Sequence, residues 1–269
     1  MSDRYAVIGN PVAHSKSPTI HAAFAQQTGQ QLVYEKILAP LDDFCGTVNA
    51  FRQNGGRGLN VTLPFKEEAL ILADDASARA NAAGAANTLR FDVDRVYADN
   101  TDGVGLVQDI QGNRAFSLQG RSVLLLGAGG AARGVIAPLL EAGVSGLSIA
   151  NRTVEKAQKL AARFPISAMA YAALTGQVFD LVINATSASL SSELPPLPEG
   201  VFAPGAMAYD MMYGKGETPF LAFARSQGAT YCADGLGMLV EQAAASFYIW
   251  RSVQPATASV LSQLRAALN

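Results

Sequence analysis

The chain has 269 residues, a length that fits two domains better than one or three. Hydrophobic residues make up 49% of the chain and charged residues only 16%, which excludes a disordered protein, a coiled coil and a nucleic-acid-binding tail. The net charge of -2 is too balanced to indicate a nucleic-acid or membrane-surface partner, so any recognition must be local.

Cysteines and the first residues indicate the cellular compartment. Cys45 and Cys232 lie far apart and near no histidine cluster, which supports neither a disulfide framework nor a zinc site. We therefore expect reduced cysteines and no bound metal. The apolar run at residues 5–8 is ended by Gly9 and is too short for a signal-peptide core or a membrane span. These features predict a cytoplasmic protein.

The first hundred residues alternate between strand-like and helix-like segments. Strands are predicted at 5–9, 32–38 and 58–62, and helices at 18–27 and 43–53. A helix-rich stretch at 66–83, two short strands at 87–91 and 95–98, and a helix that opens at Asp102 follow. This order predicts a parallel or mixed sheet covered by helices.

A second alternating block starts at Ser122 with a continuous apolar run, as expected for a strand buried on both faces. The block has the rhythm of a doubly wound sheet. The predicted strands are 122–126, 147–151, 166–170, 181–184, 207–211 and 230–233, and the predicted helices are 130–142, 154–164 and 220–227.

Two final helices, at 238–251 and 256–268, have no strand between them and need another surface to cover. If they pack on the first block, that domain is discontinuous and a cleft separates the two blocks. The expected domains are 1–104 with 237–269 and, between these segments, 105–236.

The most specific motif of the sequence lies directly after the predicted strand at 122–126 and directly before a predicted helix. Dinucleotide binding needs one glycine for the tight turn, a second where the backbone approaches the pyrophosphate, and a small residue where helix and strand pack. Gly127, Gly129 and Ala132 meet these three needs. A glycine-rich turn without a ligand is the alternative. The motif predicts that residues 105–236 form a Rossmann-type dinucleotide-binding domain.

The end of the next strand indicates which cofactor is bound. An acidic residue there would bond the ribose 2′-hydroxyl of NAD, but the sequence has Asn151, Arg152 and Thr153. Arg152 and Lys156, one helical turn apart, can bind a 2′-phosphate, and Thr153 can cap the helix. NADP is therefore the expected cofactor. The alternative is that both cations belong to a solvated helix start.

Polar residues of the first block allow two interpretations each. Ser17 before Pro18 fits a helix N-cap, and Asp102 fits one too. Lys66 stands at a predicted helix start, where a cation opposes the helix dipole. With Asp102 in reach, it could hold a substrate hydroxyl and move its proton while hydride leaves the same carbon. For His14 and His21, the only histidines, we expect structural roles.

Ordered motifs along nearly the whole chain resemble the shikimate dehydrogenase family. They are Gly9-Asn10-Pro11, residues 14–18, 60–66, 86–88, 100–103, 127–133 and 151–153, Asp210-Met211, Tyr213-Gly214-Lys215, Asp234-Gly235 and Glu241-Gln242-Ala243. The family reversibly reduces 3-dehydroshikimate to shikimate with NADPH, on the route to chorismate and the aromatic amino acids. The resemblance implies this activity and an α/β fold, with a discontinuous N-terminal substrate domain, a Rossmann-type NADP-binding domain and the active site in the cleft.

The resemblance also implies roles for individual residues. Lys66 and Asp102 correspond to the catalytic pair. Substrate-binding roles fall on Ser15 and Ser17, which hold the carboxylate, and on Thr62, Asn87, Gln242 and Tyr213. Cofactor-binding roles fall on Gly127, Ala128, Gly129, Gly130, Ala131, Asn151, Arg152, Thr153, Thr186, Met211 and Gly235, and charge adds Lys156.

One departure from the family pattern is Ser189, where many relatives have glycine, and serine tolerates fewer backbone conformations. Alternatives to the implied activity are a quinate/shikimate dehydrogenase of broader specificity, a dehydrogenase of another small hydroxy acid, and a non-catalytic NADP-responsive binding protein. The expected partners are small molecules, with no nucleic acid and no membrane. The protein is expected to be a monomer or a homodimer.

Overall fold

A computed structural model describes residues 2–186 and 194–268. The chain divides into two compact units. The first comprises residues 1–105 and 240–263, and the second comprises residues 106–239 and 264–269. Among the described residues, none of the helices combines the length and the apolar character needed to cross a bilayer.

The first unit contains a mixed sheet of six strands. The strand order is β2-β1-β3-β5-β6-β4; β5 runs antiparallel to its neighbours β3 and β6, whereas β1, β2 and β3 are mutually parallel. The predicted alternation of strands and helices is confirmed. The strands are β1 (Asp3–Gly9), β2 (Leu32–Leu38), β3 (Gly56–Val61), β4 (Asp75–Ala76), β5 (Thr88–Phe91) and β6 (Val96–Asp99), and the helices are α1 (Ser17–Thr28), α2 (Phe44–Gln53), α3 (Lys66–Leu72) and α4 (Ala78–Ala83).

Successive residues of β1 face opposite sides of this sheet, and both sides are buried. Ala6 and Ile8 join an apolar cluster with Phe44 and Phe65, whose rings stack at a centroid distance of 4.8 Å. On the other side, Tyr5 stacks on Trp250 at 4.6 Å. A strand whose two faces are both covered needs an unbroken apolar run, which explains the sequence of residues 5–8.

The second unit contains an all-parallel sheet of six strands in the order β12-β11-β10-β7-β8-β9. Read outward from β7, this is the doubly wound dinucleotide-binding order. The predicted doubly wound sheet is therefore confirmed. The strands are β7 (Ser122–Leu126), β8 (Gly146–Ala150), β9 (Ser167–Met169), β10 (Phe179–Asn184), β11 (Phe202–Asp210) and β12 (Tyr231–Asp234).

Helices cover both faces of this sheet. Val123 and Leu125 belong to one apolar cluster, and Leu124 and Leu126 belong to another, so β7 buries alternate side chains on opposite faces. The helices of the unit are α6 (Gly130–Glu141), α7 (Val154–Ala161) and α8 (Pro219–Ser226). Three further helices have residues in both units: α5 (Asp102–Gln108), α9 (Leu236–Arg251) and α10 (Ala258–Leu268).

Candidate active site

Strand direction gathers the polar motifs of the first unit at one edge of its sheet. The carboxyl end of β3 leads to Thr62 and then to Lys66, the first residue of α3. Because β5 is antiparallel to β3, its amino end lies at the same edge, and Thr88 is in register with both Asn60 and Asp99. This places the segments around Asn87 and Asp102 together although they are far apart in sequence.

Lys66 and Asp102 form an ion pair at this edge. The Nζ atom of Lys66 lies 2.6 Å from Oδ2 of Asp102, and the two side chains keep 24% and 12% of their surface exposed. The carboxylate supplies the anionic partner that a lysine at a helix start needs. Both Asp102 oxygens are bonded by side chains, since Asn87 donates to Oδ1 at 2.8 Å. The carboxylate thus belongs to this polar cluster.

Gln242 joins the pair through Asn87. The amide nitrogen of Asn87 also donates to Oε1 of Gln242 at 3.3 Å. Gln242 lies on α9, which approaches the start of α5 closely because Gly105 has no side chain: a Cβ at Gly105 would lie 2.6 Å from the backbone nitrogen of Gln242. Four of the predicted catalytic and substrate-binding residues are therefore one hydrogen-bonded group.

Ser15 and Ser17 form a second polar group in the first unit. Their hydroxyl oxygens are 3.2 Å apart, and the backbone N–H of Ser17 donates to Oγ of Ser15. The N-cap interpretation of Ser17 is wrong: Ser17 is the first helical residue of α1, the cap position is Lys16, and no side chain caps the helix. The helix starts one residue earlier than the Ser17-Pro18 pair predicted, which removes capping as an explanation for this hydroxyl.

Tyr34 and Asn60 extend the group around Ser17. Burial raises the pKa of Tyr34 well above its usual value, while a hydrogen bond with Ser17 opposes the shift. The Tyr34 hydroxyl donates to Oδ1 of Asn60 at 2.7 Å. Asn60 in turn donates to the backbone oxygen of Asn87 at 3.3 Å. A chain of hydrogen bonds therefore runs from Tyr34 through Asn60 to Asn87.

His21 lies beneath this chain as a neutral ring. It is fully buried and stacks on Tyr34 with ring centroids 4.3 Å apart. Burial lowers its pKa to about 3, although the hydrogen bond with Asn60 acts in the opposite direction. Nε2 donates to Oδ1 of Asn60 at 3.1 Å, and Nδ1 has no hydrogen-bond partner among the described residues. His21 is thus part of the packing, as the sequence predicts, and His14 is exposed.

Parallel register aligns the strand ends of the second unit. Ala150, Leu126, Asn184, Asp210 and Asp234 lie in one row across neighbouring strands. The residues that follow this row occupy the carboxyl edge of the sheet, where doubly wound folds bind ligands. They include five of the predicted cofactor residues: Asn151, Gly127, Thr186, Met211 and Gly235.

The loop between β7 and α6 has the shape that a pyrophosphate requires. Gly127 adopts a φ of +98°, and a Cβ there would lie 2.9 Å from Cγ2 of Thr186. Gly129 and Gly130 are exposed, and an added Cβ at Gly129 would meet nothing within 4 Å. The twelve-residue helix α6 thus begins with accessible backbone that no side chain covers. Such a helix N-terminus is suited to binding an anionic cofactor group. Ala128 lies in the same loop and Ala131 is the second residue of α6, and both are partly buried.

Arg152, Thr153 and Lys156 are all exposed around the start of α7. Thr153 occupies the N-cap position of that helix but makes no side-chain cap, so its hydroxyl has no capping role in the structure. Asn151 donates to the backbone oxygen of Thr153 at 2.8 Å, which shapes this turn. The arrangement presents two cations beside a helix N-terminus, as a phosphate site would.

Asn184 and Asp210 organise the loops after β10 and β11. Asn184 accepts from the Thr186 hydroxyl at 2.7 Å and donates to Oδ1 of Asp210 at 3.2 Å. Both side chains are fully buried. The other Asp210 oxygen accepts from Thr218 at 2.7 Å. These bonds define the path of the backbone at Thr186 and just beyond Asp210.

Met211 and Gly235 meet at close range beyond these strands. A Cβ at Gly235 would lie 2.2 Å from the backbone oxygen of Met211, so only glycine fits there. Tyr213 is half-buried in the same unit, where burial raises its pKa and the Asp234 carboxylate adds to the shift.

Comparison with known proteins adds independent evidence. Three family models match the chain: the shikimate dehydrogenase substrate binding domain at residues 7–89, shikimate / quinate 5-dehydrogenase at 108–192 and the shikimate 5'-dehydrogenase C-terminal domain at 235–265. A protein of Dechloromonas aromatica named shikimate dehydrogenase (NADP(+)) is 61% identical over 100% of this chain and 99% of its own length. The chain belongs to the shikimate dehydrogenase family.

Solved structures of similar proteins share the whole architecture. An enzyme described as Ael1 from Pseudomonas putida is 53% identical with a TM-score of 0.94, covering 98% of both chains. The shikimate 5-dehydrogenase of Thermus thermophilus, solved in complex with NADP(H) and shikimate, is 34% identical with a TM-score of 0.90, covering 99% of this chain and 100% of that one. The fold class expected from the sequence, a substrate domain with a Rossmann-type NADP domain, is that of the family.

The site of this shikimate dehydrogenase family member contains polar residues to which the sequence interpretation assigned no role. Asn60 and Thr101 lie inside motifs that carry the family resemblance, and Ser246 follows Gln242 by one helical turn, which was an available signal. No sequence signal pointed to Tyr34, since aromatic residues are common in strands. Thr62 is half-buried at the sheet edge, whereas Ser189 lies outside the described residues. No group of three or more potential metal ligands occurs within residues 2–186 and 194–268.

Proposed function

We propose that this protein is an NADP-dependent dehydrogenase that interconverts shikimate and 3-dehydroshikimate. The observation that supports this proposal most strongly is the Lys66–Asp102 pair. The ammonium nitrogen lies 2.6 Å from a carboxylate oxygen, and both side chains remain partly exposed to solvent. Such a pair can hold a hydroxyl and move its proton, which is what oxidation of a secondary alcohol requires. Membership of the shikimate dehydrogenase family indicates the alcohol and the cofactor.

Lys66 and Asp102 divide the proton chemistry between them. In the reduction direction, Nζ of Lys66 donates a hydrogen bond to the ketone oxygen and supplies the proton as that oxygen becomes a hydroxyl. In oxidation the same nitrogen takes the proton back. Asp102 keeps the ammonium group in place and stabilises its charge. The cofactor, when bound, would supply the hydride as NADPH in reduction and accept it as NADP+ in oxidation.

The remaining first-unit residues orient the substrate. Ser15 and Ser17 provide adjacent hydroxyls that can donate to a carboxylate. Asn87 is hydrogen-bonded to the Lys66–Asp102 pair and Gln242 to Asn87, which supports a role for both at the ring hydroxyls, and Thr62 at the same sheet edge is proposed to share it. Correct orientation is itself a large part of catalysis in such enzymes. We also propose a substrate-binding role for Tyr213.

The second unit offers the cofactor site. Gly127, Gly129 and Gly130 leave backbone bare at the helix N-terminus, and Arg152 with Lys156 would hold the 2′-phosphate. We assign residues 105–236 to NADP binding, and 1–104 with 237–269 to substrate binding. We also propose a cytoplasmic location, which cell fractionation tests, and a monomeric or homodimeric state, which analytical ultracentrifugation tests.

An initial-rate assay tests the function directly. Purified protein is mixed with shikimate or quinate and with NADP or NAD, and nicotinamide reduction is followed by absorbance. We expect reduction with shikimate and NADP and far slower rates in the other three combinations. Quinate turnover or an NAD preference would indicate the broader-specificity enzyme. No turnover in any combination, with NADPH still bound, would contradict the proposal in favour of a different hydroxy acid or a binding protein.

A further inference from the structure

Three hydroxyl groups lie together next to the Asn87 side chain: those of Thr88, Thr101 and Ser246, here termed the hydroxyl cluster. All three residues are fully buried. The Ser246 hydroxyl oxygen lies 2.7 Å from that of Thr88 and 3.2 Å from that of Thr101. Asn60 donates to Ser246 at 2.9 Å, and Ser246 donates to the backbone oxygen of Gln242 at 3.1 Å. Each hydroxyl has one proton to donate, so the three groups share their protons among one another, the Asn87 oxygen and the Gln242 backbone oxygen, and form one connected polar network.

The Asn87 amide turns its oxygen toward the cluster. Its oxygen accepts from the backbone N–H of Thr101 at 2.9 Å, from the Thr101 hydroxyl at 3.1 Å and from the Thr88 hydroxyl at 2.9 Å. A backbone N–H can only donate, so the amide oxygen must face it. The amide nitrogen then faces Asp102 and Gln242. The reverse orientation would place the amide oxygen against a carboxylate.

Thr101 has the central position in this arrangement. Its one hydroxyl proton is shared between two acceptors, the Asn87 oxygen at 3.1 Å and, at 3.4 Å, Oε1 of Gln242. Thr101 also directly precedes Asp102. One small side chain therefore touches two proposed substrate-binding residues and adjoins a proposed catalytic one. We propose that Thr101 is a positioning residue for the reaction: its hydroxyl holds Asn87 and Gln242 in the orientation that keeps Asp102 paired with Lys66. The kinetic part of this inference rests on the proposed function.

Substitution of Thr101 separates positioning from folding. Thr101→Val removes the hydroxyl and keeps the shape and the backbone N–H, whereas Thr101→Ser keeps the hydroxyl. We expect kcat for shikimate oxidation to fall about 10-fold in Thr101→Val and to stay within about threefold of wild type in Thr101→Ser, with KM for NADP little changed in either. Thr28→Val is the matched control, because Thr28 loses a 2.6 Å hydrogen bond to Phe24 outside the cluster and should keep wild-type kinetics.

Wild-type kcat and shikimate KM in folded Thr101→Val would overturn the proposal, as would equal losses in Thr101→Val and Thr101→Ser. A purely structural role would lower the melting temperature and leave kcat of the folded enzyme unchanged. If Thr101→Val does not fold, Ser246→Ala removes the hydroxyl that supports Thr101. We expect this variant to lose about fivefold in kcat, and wild-type kcat in it would then overturn the proposal.

A second measurement does not depend on turnover. The side-chain amide protons of Asn87 can be followed by NMR in the full-length protein, with their signal assigned by its loss in Asn87→Ala. We expect their exchange with solvent to be about 10-fold faster in Thr101→Val than in wild type, since the Asn87 amide oxygen loses its hydrogen bond from the Thr101 hydroxyl. Unchanged exchange would overturn the positioning role even if wild type does not oxidise shikimate. Faster exchange in an enzyme without shikimate activity would contradict only the proposed function.

Discussion

Nζ of Lys66 lies 2.6 Å from Oδ2 of Asp102, and the other oxygen of that carboxylate accepts from Asn87 at 2.8 Å. The two residues come from different sheet connections, α3 after β3 and α5 after β6. Holding two charged groups this closely costs desolvation free energy, and packing of the sheet edge does not require such a pair. The pair is therefore the observation on which the proposed acid–base role rests.

Removal of either partner should abolish most turnover. Lys66→Ala and Asp102→Asn are each expected to lower kcat by at least about 100-fold, the usual contribution of a positioned acid or base. NADPH affinity should stay near wild type, because Gly127 and Arg152 belong to a different unit. Steady-state kinetics and calorimetric NADPH titration measure the two effects. Lys159→Ala, an exposed lysine on α7, serves as the control, and normal kcat in Lys66→Ala would remove Lys66 from the catalytic assignment.

A methyl group at Gly129 should weaken cofactor binding without harming the fold. An added Cβ meets no atom within 4 Å and φ there is -86°, so the melting temperature should barely change. The methyl would lie on the surface that the pyrophosphate approaches, and a misfit of about 1–3 kcal/mol corresponds to about 5- to 150-fold weaker NADP binding. Gly146→Ala has the same open surroundings at the start of β8 and should bind NADP normally. Equal affinities in the two variants would argue against a cofactor at this loop.

Arg152 should distinguish NADPH from NADH. Arg152→Ala is expected to weaken NADPH binding by about 10- to 100-fold, the value of a hydrogen bond to a charged group, and to change NADH binding little. The same substitution at Lys156 should have a smaller effect, because an ammonium group binds as a single point charge. Fluorescence titration with both nucleotides measures the ratio. Equal weakening of NADPH and NADH would leave Arg152 without a role at the 2′-phosphate.

His21 should make the first unit sensitive to acid. Burial lowers its folded-state pKa to about 3, so between that value and about 6.5 the unfolded state binds the extra proton and stability falls as the pH falls. From pH 7 to pH 5 this loss amounts to about 2 kcal/mol. His21→Gln keeps a donor toward Asn60 and does not titrate, so its free energy of unfolding should depend on pH less steeply by that amount.

Urea titrations can test this with Trp250 fluorescence, because Trp250 is the single tryptophan and its ring lies 5.3 Å from that of His21. Parallel pH dependences of wild type and His21→Gln would show that His21 does not control acid stability.

The local sequence determined most of the elements and both halves of the fold. Apolar runs such as 123–126 predict strands buried on both sides, and in the structure their side chains are divided between two clusters. The glycine pattern from Gly127 predicts a turn that an L side chain would strain, and Gly127 has a positive φ. Such features depend on neighbouring residues along the chain, so they can be read without knowledge of the tertiary contacts.

Contacts between distant residues were decided only by the tertiary structure. Asn87 and Gln242 are separated by 155 positions. They meet because β5 runs antiparallel to β3 and because Gly105 has no side chain to keep α9 away. The same holds for the hydroxyl cluster and for the bond between Tyr34 and Asn60. The N-cap alternative for Ser17 also fails, because the helix starts one residue earlier than the sequence predicts. Periodicity determines which face a residue occupies, but only strand direction and helix packing decide which polar atoms meet on that face.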